Sequence, residues 1–326
     1  MSKAIRIHEY GGPEVLLWED VPTPDPGPND AIVRNAAVGL NYVDVYFRTG
    51  LYKAPTLPCV LGQEGAGTVI AVGNRVTDVQ PGDRVAYGTG PLGAYCTERL
   101  IPADRLVKLP ADIDFVTAGT MMLQGMTAYY LIHRTRPLKA GETIVLHAAA
   151  GGTGLILCQW AKYLGAQVIG VVSTEAKAEV ARAHGADHVL LGTKNLAAEV
   201  KRLTAGAMVP VVYDGVGRDT FMQSIDCLAP LGMMVSYGSA SGPVGPVDLG
   251  LLAAKGSLFL TRPTLATYVA RRAELEQASA ALFDVVRCGG VKIEVKQKYP
   301  LREAAAAHRA LEARQTIGST ALLPAG

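Results

Sequence analysis

The residues of this sequence with the clearest chemical purpose form a glycine-rich turn. Ala149, Gly151 and Gly154 give the pattern A-x-G-x-x-G. Glycines let a backbone approach a bulky anion, and the N–H groups at the start of a helix attract negative charge. The pattern therefore predicts a site for the pyrophosphate of a dinucleotide. The alternative interpretation is a tight strand-to-helix turn in some other α/β protein.

The elements around this turn decide between the two interpretations. Residues 142–146 are typical of a short apolar strand, residues 155–164 of a helix, and residues 167–172 of a second apolar strand. The order strand, glycine turn, helix and strand is the one that a dinucleotide-binding βαβ unit requires. The flanking sequence therefore favours the dinucleotide site.

The end of the second strand predicts which dinucleotide is bound. A site for NAD places an acid there for the ribose 2′-hydroxyl, whereas a site for NADP has small polar and basic groups. Here the strand ends at Val172, Ser173 stands at its tip, and Lys177 follows one helical turn later. These residues favour NADPH over NADH. Two alternatives stay open: Glu175 as a ribose-binding acid, and Lys177 as a solvated helix residue.

Length and composition are those of a two-domain enzyme. The chain has 326 residues, of which 49% are hydrophobic and 18% charged, and this excludes disorder. A net charge of +2 argues against nucleic acid or an anionic membrane as a partner. The five cysteines are scattered and odd in number, so they indicate neither a disulfide framework nor a Cys-x-x-Cys metal motif. Without a signal-like or membrane-spanning apolar run, we expect a soluble, cytoplasmic protein.

The texture of the sequence changes twice along the chain. Residues 1–125 are rich in Gly, Pro and short alternating strands, which is typical of a β-barrel. Residues 126–261 alternate apolar strands with helices, which predicts a parallel sheet with helices on both faces. Its strands are predicted at 143–147, 167–172, 188–191, 209–214, 233–237 and 257–261.

Residues 262–326 are too few for a core of their own. They predict a helix over 268–287, a strand over 292–295, a helix over 303–313 and a strand over 319–323. We expect this segment to return and complete the first domain. The predicted organisation is one domain formed by 1–125 and 262–326 and another formed by 126–261.

Motifs along the whole chain resemble the zinc-free quinone oxidoreductase branch of the medium-chain dehydrogenase/reductases, the group that contains ζ-crystallin. The resemblance implies a GroES-like β-barrel catalytic domain plus a Rossmann domain with a doubly wound parallel sheet. It also implies reduction of a quinone by NADPH in the cleft between the domains, and a homodimer. The matching segments are 11–16, 41–46, 48–52, 62–67, 124–130, 147–154, 213–217 and 262–265.

The same resemblance implies a catalytic wall in the first domain. Tyr46 and Tyr52 would lie beside the nicotinamide, where a neutral phenol can donate a hydrogen bond to developing oxyanion charge and stack on a flat quinone. Asn41, Asp44 and Gln63 would complete the polar wall. Two alternatives stay open: the tyrosines as packing residues, and Asp44 as the cap of a helix that starts just after it.

The resemblance also assigns residues to parts of the cofactor. One departure concerns Gly192, which stands where close relatives carry a tyrosine against the adenosine phosphate; its loss weakens NADPH binding or its preference over NADH. The resemblance implies that Thr127 and Tyr130 contact the nicotinamide ribose or diphosphate, and that Gly151, Gly152 and Thr153 contact the pyrophosphate. It implies Ser173 and Lys177 as the contacts of the 2′-phosphate. On the nicotinamide side it implies Val216, Tyr237, Ser239, Asn41 and Tyr46, with Arg314 reaching the cofactor from the returning segment.

No zinc site is expected. Related zinc enzymes need a Cys near residues 41–44, where this chain has none, and a His where Gln63 stands. Cys96 stands alone where a structural zinc would need clustered thiols. His184 and His188 have helical spacing, but Gly185 breaks the helix between them, and we expect both around a surface turn.

Three functions remain open at this stage. The first is quinone reduction, the second is NADPH-dependent reduction of enones or alkenals by the same fold, and the third is a structural or RNA-associated crystallin-like protein. For assembly, residues 256–261 form an apolar, uncharged strand that family topology puts at the sheet edge. Pairing with its copy would bury Leu258 and Leu260 or Phe259 in a homodimer, and the alternative is an interior strand.

Overall fold

A computed structural model describes residues 2–22 and 25–324 of the chain. The chain divides into two compact units. Unit 1 comprises Met1–Met126, Tyr268–Phe283 and Ile293–Gly326, and unit 2 comprises Thr127–Thr267 and Asp284–Lys292.

The strands of the described residues are β1 (Ser2–Ile7), β2 (Leu17–Val21), β3 (Asp30–Leu40), β4 (Cys59–Val60), β5 (Gly65–Val72), β6 (Arg84–Tyr87), β7 (Glu98–Pro102), β8 (Val107–Lys108), β9 (Thr143–His147), β10 (Gln167–Val172), β11 (His188–Leu191), β12 (Val209–Asp214), β13 (Leu228–Ser236), β14 (Phe259–Thr261), β15 (Val295–Pro300) and β16 (Ser319–Leu323). The α-helices are α1 (Tyr42–Thr49), α2 (Phe115–Tyr130), α3 (Gly152–Tyr163), α4 (Glu175–Ala183), α5 (Leu196–Leu203), α6 (Phe221–Ile225), α7 (Leu249–Ala254), α8 (Leu265–Tyr268), α9 (Arg272–Arg287) and α10 (Ala304–Glu312).

Unit 1 is built around the long strand β3. A three-stranded sheet has the order β2-β1-β4, and a larger sheet has the order β15-β16-β3-β5-β6-β8, with β7 also paired to β3. Strand β16 lies antiparallel to β3, so Ser319–Leu323 is part of this sheet. Inward-facing residues such as Val33, Leu61 and Ile101 form the core, and their burial out of water stabilises the barrel-like unit.

Unit 2 contains a parallel six-stranded sheet of the order β11-β10-β9-β12-β13-β14. Numbered from β9, this is the 3-2-1-4-5-6 order of the dinucleotide-binding Rossmann fold. The strands are short runs of Val, Ile and Leu because both faces of such a sheet are covered. The predicted fold class, a GroES-like barrel plus a Rossmann sheet, is therefore confirmed. The prediction that residues 256–261 include an edge strand is also confirmed, since β14 ends the sheet.

The glycine turn joins β9 to α3. Ala148 adopts a left-handed φ of 53°, and its carbonyl oxygen accepts a hydrogen bond from the Gly151 N–H at 2.9 Å. Gly151 is the N-cap of the helix, in extended conformation. A Cβ atom on Gly154 would lie 2.2 Å from the Ala148 carbonyl oxygen. The third glycine of the pattern is therefore required by the close approach of helix and turn.

Two predicted elements are wrong in their bounds. The helix predicted over 268–287 is two helices, α8 and α9, because the Val269 and Ala270 carbonyls accept hydrogen bonds from the Arg105 guanidinium instead of continuing the helical pattern. The strand predicted over 292–295 is β15, which starts at Val295. The exposed lysines of β15 interrupt the apolar pattern from which a strand is predicted, because β15 is an edge strand whose outer face meets solvent.

Smaller differences concern β13 and β14. The strand predicted over 233–237 begins five residues earlier, at Leu228, and its pairing with β12 shifts register between Val209 and Val211. Leu231 has a left-handed φ of 62°, which interrupts the apolar pattern from which the strand was predicted. The strand predicted over 257–261 is shorter and starts at Phe259. Within the described ranges, the helices are all too short or too polar to cross a membrane.

The turn leads to a prediction on stability. Gly154→Ala should destabilise the protein by about 1–3 kcal/mol, because the added methyl group overpacks against a backbone carbonyl that cannot move without opening the turn. Gly245→Ala is the matched control, since a Cβ at that position has no atom within 4 Å. Urea unfolding of the two variants and the unaltered protein measures the difference. Equal stabilities of the two variants would contradict the packing argument.

Candidate active site

The tip of β10 carries the residues predicted to select the cofactor. Ser173 is exposed just beyond the strand. Thr174 is the N-cap of α4, and its hydroxyl accepts a hydrogen bond from the Lys177 N–H at 3.3 Å. Glu175 forms an ion pair with Arg182 at 2.7 Å. The acidic residue near the strand tip is therefore engaged along its own helix, which weakens its candidacy as a ribose-binding acid.

Gly192 follows β11 beside this tip. Its N–H donates to the Val172 carbonyl at 2.8 Å, and its φ is 69°. An added Cβ would meet no atom within 4 Å. The space for a ring is open, but the left-handed backbone suits glycine and would strain a tyrosine.

A buried carboxylate at the end of β12 holds the next loop in place. Asp214 Oδ1 accepts hydrogen bonds from the N–H groups of Val216 at 2.8 Å and Gly217 at 3.1 Å. Its Oδ2 accepts from the hydroxyls of Thr220 at 2.7 Å and Ser224 at 2.8 Å. Four donors satisfy the carboxylate, so the backbone that carries Val216 is fixed.

His147 is tied to the same carboxylate through Ser224. The Ser224 oxygen lies 2.9 Å from His147 Nε2. Because the single hydroxyl proton of Ser224 is given to Asp214, His147 must donate its Nε2–H to the serine oxygen. Burial lowers the pKa of His147, against the opposing effect of Asp214. The imidazole is therefore neutral and serves as a fixed donor inside unit 2.

The other predicted cofactor residues of unit 2 lie at helix and strand ends. Thr127 and Tyr130 are buried on α2, three residues apart and thus on one helical face. Tyr237 and Ser239 follow β13, and the ring of Tyr237 packs over Gly215, where a Cβ would lie 2.9 Å from it. The Tyr237 N–H donates to the Asp214 carbonyl at 2.9 Å.

In unit 1, Asn41 is the N-cap of α1. Asp44 Oδ2 accepts the Asn41 N–H at 2.8 Å, and the Asp44 N–H donates to the Asn41 backbone carbonyl at 3.0 Å. The helix starts at Tyr42 with Asn41 as its N-cap, so Asp44 is not the cap residue of a helix that starts near Val45, the alternative left open from the sequence. Asp44 contributes from the third helical position, as the acidic member of a capping box does.

The two tyrosines predicted for catalysis are in contact. Their ring centroids lie 5.3 Å apart with the planes at 68°, an edge-to-face pair. The Tyr52 N–H donates to the Tyr46 carbonyl at 3.0 Å, which folds the chain back at the end of α1. Tyr46 is buried and Tyr52 is partly exposed. Their side chains therefore form one aromatic surface.

Asn41 also belongs to a chain of buried polar groups. Its amide Nδ2 donates to Glu64 Oε1 at 2.6 Å, and its Oδ1 accepts from Gln124 Nε2 at 3.1 Å. Gln124 Oε1 in turn accepts from the Ser319 hydroxyl at 2.7 Å. The second oxygen of Glu64 accepts the Leu123 N–H at 2.8 Å. Burial raises the pKa of Glu64 to about 8, with Asp44 adding to the effect.

A second buried chain ends at Asp44. Arg48 Nη1 lies 3.1 Å from His308 Nδ1, His308 Nε2 lies 3.1 Å from the Tyr95 hydroxyl, and that hydroxyl donates to Asp44 Oδ2 at 3.0 Å. Arg48 also forms a bidentate ion pair with Glu312 at 2.7 and 2.8 Å. A guanidinium can only donate, so every hydrogen bond in this chain has one direction. Burial lowers the pKa of His308 to about 3 and raises that of Asp44 to about 7.

Gln63 and Arg314, the remaining predicted residues of unit 1, belong to neither series of buried hydrogen bonds. Gln63 is partly buried and its carbonyl oxygen is 3.5 Å from Arg99 Nη1. Arg314 has a left-handed φ of 58° and lies close enough to Tyr42 to lower its pKa against the dominant effect of burial. The structure thus brings Asn41 together with Glu64 and Gln124, which the sequence reasoning did not select.

Three buried polar residues were missed from the sequence, although each lies in or beside a segment that carried the resemblance. Glu64 follows Gln63, Gln124 opens the segment 124–130, and Asp214 lies in the segment 213–217. Their signal was a polar residue in an otherwise apolar or glycine-rich stretch. His308 lies on α10, outside every matching segment, and it had no such signal.

For metals, the relevant feature is the distribution of ligands. Among residues 2–22 and 25–324, no group of three or more His, Cys, Asp or Glu side chains is placed to hold a metal ion. His184 caps the end of α4 with Nδ1 at 2.7 Å from the Val180 carbonyl, and His188 is exposed on β11. Gly185 between them has a φ of 98°, as expected for a turn. Absence of zinc stays a prediction.

Two family models match the chain. Residues 27–111 match the alcohol dehydrogenase GroES-like domain, and residues 152–283 match the zinc-binding dehydrogenase domain. A GroES-like module followed by a Rossmann module defines the medium-chain dehydrogenase/reductase class.

Relatives narrow the class. A quinone oxidoreductase of Pseudomonas aeruginosa is 52% identical over 325 residues, covering 99% of this chain and 100% of that protein. A 2-haloacrylate reductase of Burkholderia is 47% identical and covers 99% of both chains. The crystal structure of Escherichia coli quinone oxidoreductase complexed with NADPH matches with a TM-score of 0.97 at 47% identity, over 99% of this chain and 100% of that one. The chain belongs to the quinone oxidoreductase family of the medium-chain dehydrogenase/reductases.

The buried His308 leads to a prediction on acid stability. The pKa of His308 in the folded protein is about 3, below the ordinary 6.5. Between these two values, His308 of the unfolded chain binds a proton and His308 of the folded chain does not. Stability is therefore lost as pH falls from 6.5 toward 3. His308→Gln should reduce this loss, because a glutamine can accept from Arg48 and donate to Tyr95 without titrating.

The measurement is the midpoint of urea unfolding between pH 6.5 and about 3. The raised pKa values of Asp44 and Glu64 change stability with pH in the opposite direction. Both groups are present in the unaltered protein and in His308→Gln, so their effect cancels in the difference between the two proteins. His188→Gln, at an exposed position, is the control and should follow the unaltered protein. Parallel pH curves for His308→Gln and the unaltered protein would refute the prediction.

Proposed function

We propose that this protein is a cytoplasmic, homodimeric, NADPH-dependent quinone oxidoreductase that works without zinc. The observation that carries the proposal is its full-length similarity to the quinone oxidoreductases of Pseudomonas aeruginosa and Escherichia coli. The Rossmann sheet, the glycine turn and the helix N-terminus of unit 2 fit a dinucleotide. The five cysteines are free thiols, as in proteins of a reducing compartment.

The proposed cofactor contacts of unit 2 follow the order of its strands. The first N–H groups of α3, at Gly152 and Thr153, have no partner within the helix and offer positive charge to a pyrophosphate; Gly151 leaves room for it. Ser173 and Lys177 would bind the 2′-phosphate. Toward the nicotinamide we place Thr127, Tyr130, Val216, Tyr237 and Ser239.

Unit 1 contributes the polar wall for the acceptor. Bound NADPH supplies a hydride. The protein must then orient the acceptor, exclude water and donate a hydrogen bond to the oxygen that gains charge. We assign these tasks to Asn41, Tyr46, Tyr52 and Gln63, with Arg314 reaching the cofactor. Neutral amides and phenols can donate to this oxygen but cannot polarise an unactivated carbonyl as a metal would, and therefore the substrate should be electron-poor.

A second candidate function is reduction of an activated carbon–carbon double bond. The observation that favours it is 47% identity to a 2-haloacrylate reductase over the whole chain. The hydride transfer is the same, and the acceptors differ in where the charge develops. The structural or RNA-associated alternative is not what the relatives described above are named for.

An acceptor panel tests the proposal directly. The rate of NADPH oxidation is measured with phenanthrenequinone, p-benzoquinone, hexenal and 2-chloroacrylate at matched concentrations. Faster turnover with the quinones supports the main proposal, and faster turnover with chloroacrylate supports the second candidate. Retained activity in a strong chelator is expected in either case, because the described residues offer no ligand cluster.

The dimer is proposed to form through β14. Leu258 is buried within unit 2, whereas Phe259 is 57% exposed on the edge strand. An exposed apolar edge strand with unpaired N–H and C=O groups attracts another strand. Pairing two copies of β14 about a two-fold axis would satisfy these groups and cover Phe259.

The cofactor assignment predicts the effect of Lys177→Ala. Loss of a cationic partner of the 2′-phosphate should raise the apparent KM for NADPH roughly tenfold, about 1.4 kcal/mol, and leave the KM for NADH nearly unchanged. Steady-state kinetics with both cofactors measures it. Lys201→Ala, an exposed lysine on α5, is the control. Equal losses with NADPH and NADH would show that Lys177 does not read the phosphate.

The catalytic assignment predicts the effect of Tyr52→Phe. Removing one hydroxyl that donates in the transition state should lower kcat roughly tenfold to a hundredfold, about 1–3 kcal/mol, and leave NADPH binding intact. The less activated hexenal should suffer more than a quinone. Tyr46→Phe and the double variant identify which phenol donates, and Tyr163→Phe, 60% exposed, controls for hydroxyl loss. Full activity of all three active-site variants would leave the tyrosines as packing residues.

A further inference from the structure

The buried series of hydrogen bonds from Glu64 to Ser319 in unit 1 can reverse its direction, whereas the series that starts at Arg48 cannot. Its inner members, Asn41 and Gln124, are carboxamides, and all four groups are buried. A carboxamide has nearly the same shape after a half-turn of its end group, which exchanges donor and acceptor. The hydrogen bonds from Ser319 through Gln124 and Asn41 to Glu64 can therefore run in either direction.

The proton on Glu64 selects the direction. One carboxyl oxygen, Oε2, accepts the Leu123 N–H at 2.8 Å, and a backbone N–H can only donate. Oε1 is therefore the better position for a proton on the carboxyl group, because it lies 2.6 Å from the Asn41 amide, whose carbonyl can accept that proton after a half-turn. Ionised Glu64 requires the Asn41 NH2 to face it, whereas protonated Glu64 requires the Asn41 carbonyl to face it, with Gln124 reversed as well.

The surroundings of Glu64 favour titration in an accessible range. Asp44, on α1, opposes ionisation of Glu64, while Tyr95 shares a hydrogen bond with Asp44. The positive charge of Arg48 is paired with Glu312. Burial and Asp44 together raise the pKa of Glu64 to about 8, so the carboxyl group is mostly protonated at neutral pH.

We propose that Glu64 is a positioning residue whose proton sets the direction of the hydrogen bonds through Asn41 and Gln124, and with it whether Asn41 offers an N–H or a carbonyl to the acceptor side of the site. The effect on turnover depends on the proposed function, in which Asn41 contacts the nicotinamide side. The reversal itself is a property of unit 1 and holds whatever the substrate is.

The variant Glu64→Gln should hold the hydrogen bonds through Asn41 and Gln124 in one direction. The glutamine oxygen must still accept the Leu123 N–H, so its NH2 faces Asn41 and locks the arrangement of protonated Glu64 at every pH. In the unaltered protein, infrared difference spectra should show a carboxylic acid C=O band lost as pH rises through about 8. This band should be absent from Glu64→Gln, while Asp44→Asn, which removes the second buried carboxyl group described in unit 1, should keep it.

The side-chain amide signals of Asn41 and Gln124 in ¹⁵N NMR provide a readout that does not depend on activity. Both should shift together through pH about 8 in the unaltered protein and stay constant in Glu64→Gln. Gln124→Met identifies the Gln124 signal, and unaltered protein alone suffices for the titration if Glu64→Gln fails to fold. The step in kcat near the same pH should be lost in Glu64→Gln.

The outcomes separate the two proposals. Amide signals that stay fixed while the carboxyl band titrates would overturn the reversal, and so would a Glu64 that is ionised throughout. A joint shift of both amides with the band supports it. If the protein does not reduce quinones, the proposed function fails, but the infrared and NMR results still decide the inference.

Discussion

The arrangement of unit 1 depends on one buried cation. Arg48 is 1% exposed, and its guanidinium donates to Glu312, to His308 and to the Gly11 carbonyl. Removing one partner from such a buried pair typically costs about 3–5 kcal/mol, because the other charge is left uncompensated. The pair joins α1 to α10, so residues more than 260 positions apart in the chain are held together at the helix that Asn41 caps and that carries Tyr46.

Arg48 also sets the direction of the hydrogen bonds that lead to Asp44. Arg48 fixes the proton on His308 Nε2, and the imidazole then orients the Tyr95 hydroxyl toward Asp44. The hydrogen bonds from Arg48 to Asp44 therefore have only one possible direction. Among the described residues, Asp44 Oδ1 has no hydrogen-bond partner, which agrees with its raised pKa of about 7. Negative charges on Asp44 and Glu64 oppose each other, and we expect these two carboxyl groups not to ionise together.

The sequence predicted the fold well because the governing signals are local. The glycine pattern, the apolar strands and the order of elements fixed unit 2, and Gly154 is where the pattern required it. Predictions failed where distant contacts decide, as at Val269, whose carbonyl is taken by Arg105, and at β15, whose lysines face solvent. In the candidate site, Asn41 and Tyr46 were selected by resemblance, whereas Glu64 and His308 were not, because neither burial of a charge nor its partners can be read from neighbouring residues.

The two units use different chemistry for different tasks. In unit 2 the groups proposed for the pyrophosphate are backbone N–H groups on a turn that Gly154 allows, and such donors cannot titrate. The four hydrogen bonds of Asp214 fix the neighbouring loop that carries Val216. In unit 1 the candidate groups are side-chain amides, phenols and carboxyl groups whose donors and acceptors can exchange. A fixed backbone cradle suits a cofactor that every turnover requires. A wall of exchangeable groups, whose polarity would follow the Glu64 proton under the proposal made above, suits an acceptor whose oxygen changes from neutral to charged.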